Sequence, residues 1–211
     1  MMMKNEESKT SAEAKQKRSE ILLKMFNKEI QKNPTFVKLT FQMIDCDDFF
    51  FMYSMSPILN SNLNFGNDPL LKCKIMYLDL TGNRLGNSSC CALLAEILSQ
   101  NDTIQYLNMS LNDMGADGLS ELVKVLYNNK KSSSSDSPQA MNTSLKHLDL
   151  SANRIGEEGI RQLIDVVKNN NSLVTISVRS NKVKSSTGVD ALLELMALSM
   201  SGEHAIREVF V

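Results

Sequence analysis

The chain has 211 residues, 42% of them hydrophobic and 22% charged, with a net charge of −1. That length holds one sizeable core, and the near-neutral balance argues against nucleic acid or an anionic membrane surface as a partner. The opening Met1–Glu7 stretch is polar with no apolar run behind it, so neither a secretory signal nor a membrane-spanning segment is expected.

Four cysteines, Cys46, Cys73, Cys90 and Cys91, show no C-x-x-C spacing and no histidine close by in sequence. They read as reduced structural thiols of a cytoplasmic protein. Asn-x-Ser/Thr sequons at Asn87, Asn101, Asn108, Asn142 and Asn170 are then incidental. No metal or other cofactor is expected.

In chain order, residues 1–11 read as a disordered tail. Thr10-Ser-Ala-Glu13 is a capping-box match that opens a helix over 12–32, with Ile21, Leu22, Met25, Phe26 and Ile30 on its apolar stripe. Asn33-Pro34 ends it, so 12–35 forms a capping helix whose Lys15, Lys17 and Arg18 are expected in solvent. Phe36, Leu39 and Phe41 then mark a strand. The rest of an irregular first unit, 36–74, is expected to hold a distorted helix near 47–59 and a loop at 60–70. Asp45, Asp47 and Asp48 lack the glycine and distal glutamate of a calcium loop and read as a solvated turn.

From here the chain repeats. Ile75-Met-Tyr-Leu78-Asp-Leu80-Thr-Gly-Asn83-Arg-Leu85 is apolar at places 1, 4, 6 and 11, with Asn at place 9. The same pattern starts again at Ile104, Leu145 and Leu173. The steps are 29, 41 and 28 residues, the long one being one period plus a Ser-rich insertion at 130–142. Between the strand segments lie helix-period sets: Leu93, Leu94, Ile97 and Leu98; Leu119, Leu122, Val123 and Leu126; Ile160, Leu163, Ile164 and Val167; Val189, Leu192, Leu193 and Met196. One strand-turn-helix unit cannot cover its own apolar face, so neighbours must stack over residues 75–211. Ile206, Val209 and Val211 fit a last strand.

These residues resemble leucine-rich repeats of the ribonuclease-inhibitor class over about 75–200, and the helix-Asn-Pro-strand opening resembles tropomodulin repeats. The resemblance implies a right-handed α/β solenoid, a horseshoe segment of about five to six units with parallel concave strands and convex helices. It also implies a non-catalytic scaffold that binds a protein partner, in the cytoplasm and in a cytoskeletal or ciliary assembly. Two alternatives are a regulator of a small GTPase, like the Ran GTPase-activating proteins, and a structural subunit of a large complex. Against the first, Arg84 and Arg154 merely follow the turn, and no unit carries an identifiable catalytic arginine.

Side chains alternate across a strand, so places 3, 5 and 7 face the concave side. Place 3 reads Lys38, Tyr77, Tyr106, His147, Thr175 and Glu208; place 5 reads Thr40, Asp79, Asn108, Asp149, Ser177 and Phe210; place 7 reads Gln42, Thr81, Ser110, Ser151 and Arg179. From Tyr77 to Arg179 these are the candidate protein-binding residues. The place-9 asparagines, Asn83, Asn112, Asn153 and Asn181, are expected to hold neighbouring turns. His147 beside Asp149 has no nucleophile with it, so a polar pair is expected rather than a catalytic dyad. The edge strand Val209, Phe210 and Val211 is expected to be covered by a partner or a second copy. Ser133 and Ser137, in the insertion, are candidate phosphorylation sites.

Overall fold

The computed structural model describes residues 2–56, 59, 75–126 and 141–211, with side chains from residue 11 on. The expected loop at 60–70, Cys73, and most of the Ser-rich insertion, with Ser133 and Ser137, lie outside them.

Helices and strands alternate: α1 (Met2–Lys32), β1 (Phe36–Lys38), α2 (Cys46–Met55), β2 (Tyr77–Asp79), α3 (Ser88–Gln100), β3 (Tyr106–Asn108), α4 (Ala116–Val123), β4 (His147–Asp149), α5 (Gly156–Asn169), β5 (Thr175–Ser177), α6 (Ser186–Ser201) and β6 (Glu208–Phe210). The strands form one parallel sheet in chain order, so each unit pairs only with its sequence neighbours. The interior is filled by places 4, 6 and 11. Leu78, Leu80 and Leu85, then Leu107, Met109 and Met114, then Leu148, Leu150 and Ile155 are all buried. Each such side chain contributes about 1.5–3 kcal/mol by leaving water. Leu93, Leu94, Ile97 and Leu98 of α3, Leu119, Leu122 and Val123 of α4, and Ile160, Leu163, Ile164 and Val167 of α5 close the other side. Close stacking also needs bare backbone: a Cβ on Gly118 would lie 2.2 Å from the Gly86 carbonyl oxygen of the preceding unit.

The place-9 asparagines tie one unit to the next. Asn153 Nδ2 donates to the Met109 and Leu150 carbonyls, each at 2.9 Å, while its Oδ1 accepts from the Asn112 amide at 3.0 Å and the Met114 amide at 2.9 Å. Asn83 makes the same set two units earlier, with Leu39, Leu80, Gln42 and Ile44. Backbone groups that the turn would orphan are thereby satisfied. A second ladder runs along the opposite strand ends, and its residues are sequon asparagines. Asn101, Asn142 and Asn170 each turn Oδ1 onto the amides two and three residues on. Asn142 Nδ2 donates to the Leu98 carbonyl at 2.7 Å and the Asn101 carbonyl at 2.9 Å, and Asn170 Nδ2 donates to the Leu126 carbonyl. Asn142 and Asn170 are buried, so these sequons shape the entry into the strands rather than being incidental.

The structure corrects four expectations. Helix α1 starts at Met2 rather than at residue 12. The stretch ahead of Thr10 has no Pro or Gly and carries helix-forming Met, Lys and Glu, so the helix runs through the capping-box match. Strand β1 is slipped by two residues: Phe36, not Lys38, lies opposite Tyr77. The expected register would set Ile44 at the hydrogen-bonding place 9. The observed one buries Val37, Leu39 and Ile44 at places 4, 6 and 11 and leaves Phe41 at 66% exposure. The acidic cluster is not a solvated turn. Asp45 caps α2 and forms a capping box with Asp48, and Asp48 is fully buried against Ser19 Oγ at 2.7 Å and the Arg18 guanidinium at 2.9 Å. Lys15 pairs with Asp47, so two of the cations expected in solvent bind α2 instead. Finally, α6 turns Ala191 and Leu195 inward. Val189, Leu193 and Met200 form an outer stripe, 46%, 58% and 78% exposed.

Candidate functional site

The concave face is built by register. Parallel pairing puts Phe36, Tyr77, Tyr106 and His147 at one height on four successive strands. Their rings stack, with centroids 4.3 Å apart for Phe36 and Tyr77, 5.1 Å for Tyr77 and Tyr106, and 3.8 Å for Tyr106 and His147. Strand spacing of about 4.8 Å is close to a comfortable stacking distance, which is why aromatics at one place form a column. His147 Nδ1 lies 2.7 Å from Thr175 Oγ1 and continues the column as a hydrogen bond. Burial lowers the His147 pKa, against an opposing pull from Glu208, which favours the neutral ring. Burial first, and then the Asp79 charge, raises the Tyr77 pKa.

Place 5 forms the next column. Asp79 Oδ1 accepts from the Thr81 amide at 3.0 Å, Asn108 Oδ1 from the Ser110 amide at 2.9 Å, and Asp149 Oδ1 from the Ser151 amide at 2.8 Å. Place 7 adds hydroxyl pairs, Thr81 with Ser110 at 3.2 Å and Ser151 with Ser177 at 2.7 Å. Over β3, β4 and β5 these columns enclose an open hollow of about 260 Å³, lined by Tyr106, Asn108, His147, Asp149, Ser177 and Arg179 among others. Arg179 closes one side, its guanidinium 4.9 Å from the centroid of the Phe210 ring.

Two stretches, residues 100–123 and 142–163, match the family model described as "Leucine Rich repeat". The chain is built of leucine-rich repeats. No curated protein matches the sequence. Among solved structures, "Leiomodin-1 Actin-Binding Site 2 (ABS2)" is similar at 12% identity and a TM-score of 0.45, over 60% of this chain and 64% of that one. The chain thus spans less than two thirds of that structure.

Within the leucine-rich-repeat sheet, the candidate residues from Tyr77 to Arg179 fall on one surface. Phe36 joins them at its head, where sequence reading put Lys38. Its register was the missing signal: Gln42 occupies the place held by Asn in the other units. The contact between Arg179 and Phe210 also escaped sequence reading, because the two sit on adjacent strands at places 7 and 5. Val209 is partly buried, while Phe210 and Val211 are 38% and 47% exposed on the outermost strand. Arg84 and Arg154 stand on a separate ledge at the strand ends, and Arg154 pairs with Asp113.

Among the described residues no three His, Cys, Asp or Glu side chains are grouped to hold a metal ion. No described helix is long and apolar enough to cross a membrane. Cys46, Cys90 and Cys91 are free thiols. Burial pushes Cys90 upward, with Cys46 hydrogen-bonded beside it, and pushes Cys91 up to about 12.

Proposed function

We propose that this leucine-rich-repeat chain is a non-catalytic scaffold that holds a segment of a protein partner on its concave strand face. The aromatic column beside the place-5 polar column carries this reading. Tyr106 is 43% exposed at the centre of the sheet, where a solvated face would spend a polar residue. Rigid aromatic rings next to fixed acceptors give a partner large contact area at little entropic cost. The cytoplasmic and cytoskeletal or ciliary setting belongs to the same proposal. The test is affinity capture from native lysate with the intact chain and with a folded Tyr77→Ala/Tyr106→Ala/Asp149→Ala variant. Partners that the variant loses support the reading; identical sets from both baits refute it.

A second surface is favoured by one observation, the outward stripe Val189, Leu193 and Met200 beside the outer edge of β6. Self-association of two copies through this end would cover it. Light scattering over a concentration series is the check. A monomer throughout, with Leu193→Lys behaving identically, refutes this surface and leaves the concave one standing.

A further inference from the structure

We propose that the hollow over β3, β4 and β5 is an arginine site, receiving the guanidinium of an exposed arginine on the protein partner with Asp149 as counter-charge. This rests on the concave-face reading above.

The argument starts from a comparison that the repeats make for themselves. Asp79, Asn108 and Asp149 occupy one place on three successive strands and share one structural job: Oδ1 accepts the amide two residues on, and at Asp79 it also accepts the Thr81 hydroxyl at 2.6 Å. Asn108 does that job without a charge. The negative charge at the other two positions is therefore surplus to the turn. It is also unspent, because the described ion pairs use Asp47, Asp48, Glu29, Glu121, Asp113, Glu157 and Glu194, and neither Asp79 nor Asp149. For the half-buried Asp149, one neutral amide donor offsets only part of the hydration that its charge loses. Asp149 lines the hollow, and Asp79 adds negative potential from β2.

The surroundings select the type of cation. His147 stacks on Tyr106, and burial disfavours the charged ring that would oppose one. Arg179, the cation that lines the hollow, is held over Phe210. The lining residues that can accept are spread over adjacent strands: Asp149, Tyr106, Asn108, whose Oδ1 already takes the Ser110 amide, and Ser177, whose hydroxyl already pairs with Ser151. A planar guanidinium with five donors in a fixed fork spans such a set, whereas a compact ammonium satisfies one centre. The faces of the column rings are taken up by each other, so the arginine meets their edges and hydroxyls rather than lying over a ring.

The test uses an immobilised array of random dodecapeptides, probed with the full chain, with Tyr106→Ala and with Asp149→Asn. Asn at 149 keeps Oδ1 for the Ser151 amide, as Asn108 shows, so the fold stands. The best peptides are then remade with citrulline or lysine for each arginine. Arginine-bearing peptides are expected to dominate, to be lost with Tyr106→Ala, and to bind about ten-fold more weakly with Asp149→Asn or with citrulline. Peptides that need Tyr106 but lack arginine, ignore Asp149→Asn, or bind equally with lysine overturn the arginine site and leave the concave reading intact. An array with no Tyr106-dependent binding overturns both.

Discussion

The two flanks of the sheet face the same problem and meet it differently. At the β1 side, α1 and α2 lay Leu22, Phe26, Ile30, Phe49 and Met52 over the first unit, all buried. Between them sits Asp48, satisfied by Arg18, Ser19 and the Asp45 amide. At the β6 side, α6 buries only Ala191 and Leu195 of its large apolar set and holds its outer stripe to water. Besides those two, its link to α5 includes exposed polar contacts: Lys168 to Glu194, and Ser185 and Thr187 to Glu157. The first flank is finished like an interior and the second like a surface still open to contact. In an array where each unit leans on its neighbours, that difference fixes which end frays first.

The contrast can be broken most directly at Phe26. Phe26→Ala should cost about 3–5 kcal/mol in denaturant unfolding. A loss below about 1 kcal/mol would show that α1 is no cap at all. Asp48→Ala comes next, at about 2–3 kcal/mol, less than a wholly buried pair because the half-exposed Arg18 can return to water. If that variant is as stable as the parent, the polar junction is decoration and the two flanks differ little.

Acid should weaken the other flank. Hydrogen bonds from Ser185, Arg161 and Thr187 hold Glu157 down to about 2. A carboxylate lowered in the folded state lends stability that is present above its unfolded pKa and lost as pH falls through the folded one. Between pH 5 and pH 3 the gap in denaturation midpoint between the parent and Glu157→Gln should therefore narrow. A constant gap would remove this carboxylate from the α5–α6 joint. The smallest effect belongs to Leu193→Lys, within about 0.5 kcal/mol of the parent, because its side chain already meets water. A large loss there would mean that the stripe is covered by something within the fold.

The middle of the fold was readable because four units carry the same apolar spacing with Asn in step, and each of those side chains has one place to go. Legibility fails where a pattern admits two registers. Phe36, Leu39 and Phe41 satisfy the strand spacing as well as Val37, Leu39 and Ile44 do, and only the need for a polar residue at place 9 separates them. In α6 Leu and Met occur on both sides, so the sequence shows two stripes, and the choice between them is made by contact with α5. From Tyr77 onward the concave columns followed from period alone. The Arg179–Phe210 contact and the buried Asp48 did not, because they join residues whose nearness is a property of stacking. The sequons at Asn101, Asn142 and Asn170 were visible but read as chance, although the shared apolar residue three positions on ties them to the strand starts.

That second ladder leaves no room for a sugar on its buried asparagines. A sugar on an asparagine replaces an amide hydrogen and adds bulk at that nitrogen. Asn142 has given both amide hydrogens to the interior, and Asn170 is buried against the Leu126 carbonyl. A glycan at either nitrogen would displace these hydrogen bonds, so the turns as folded and a sugar on Asn142 or Asn170 exclude one another.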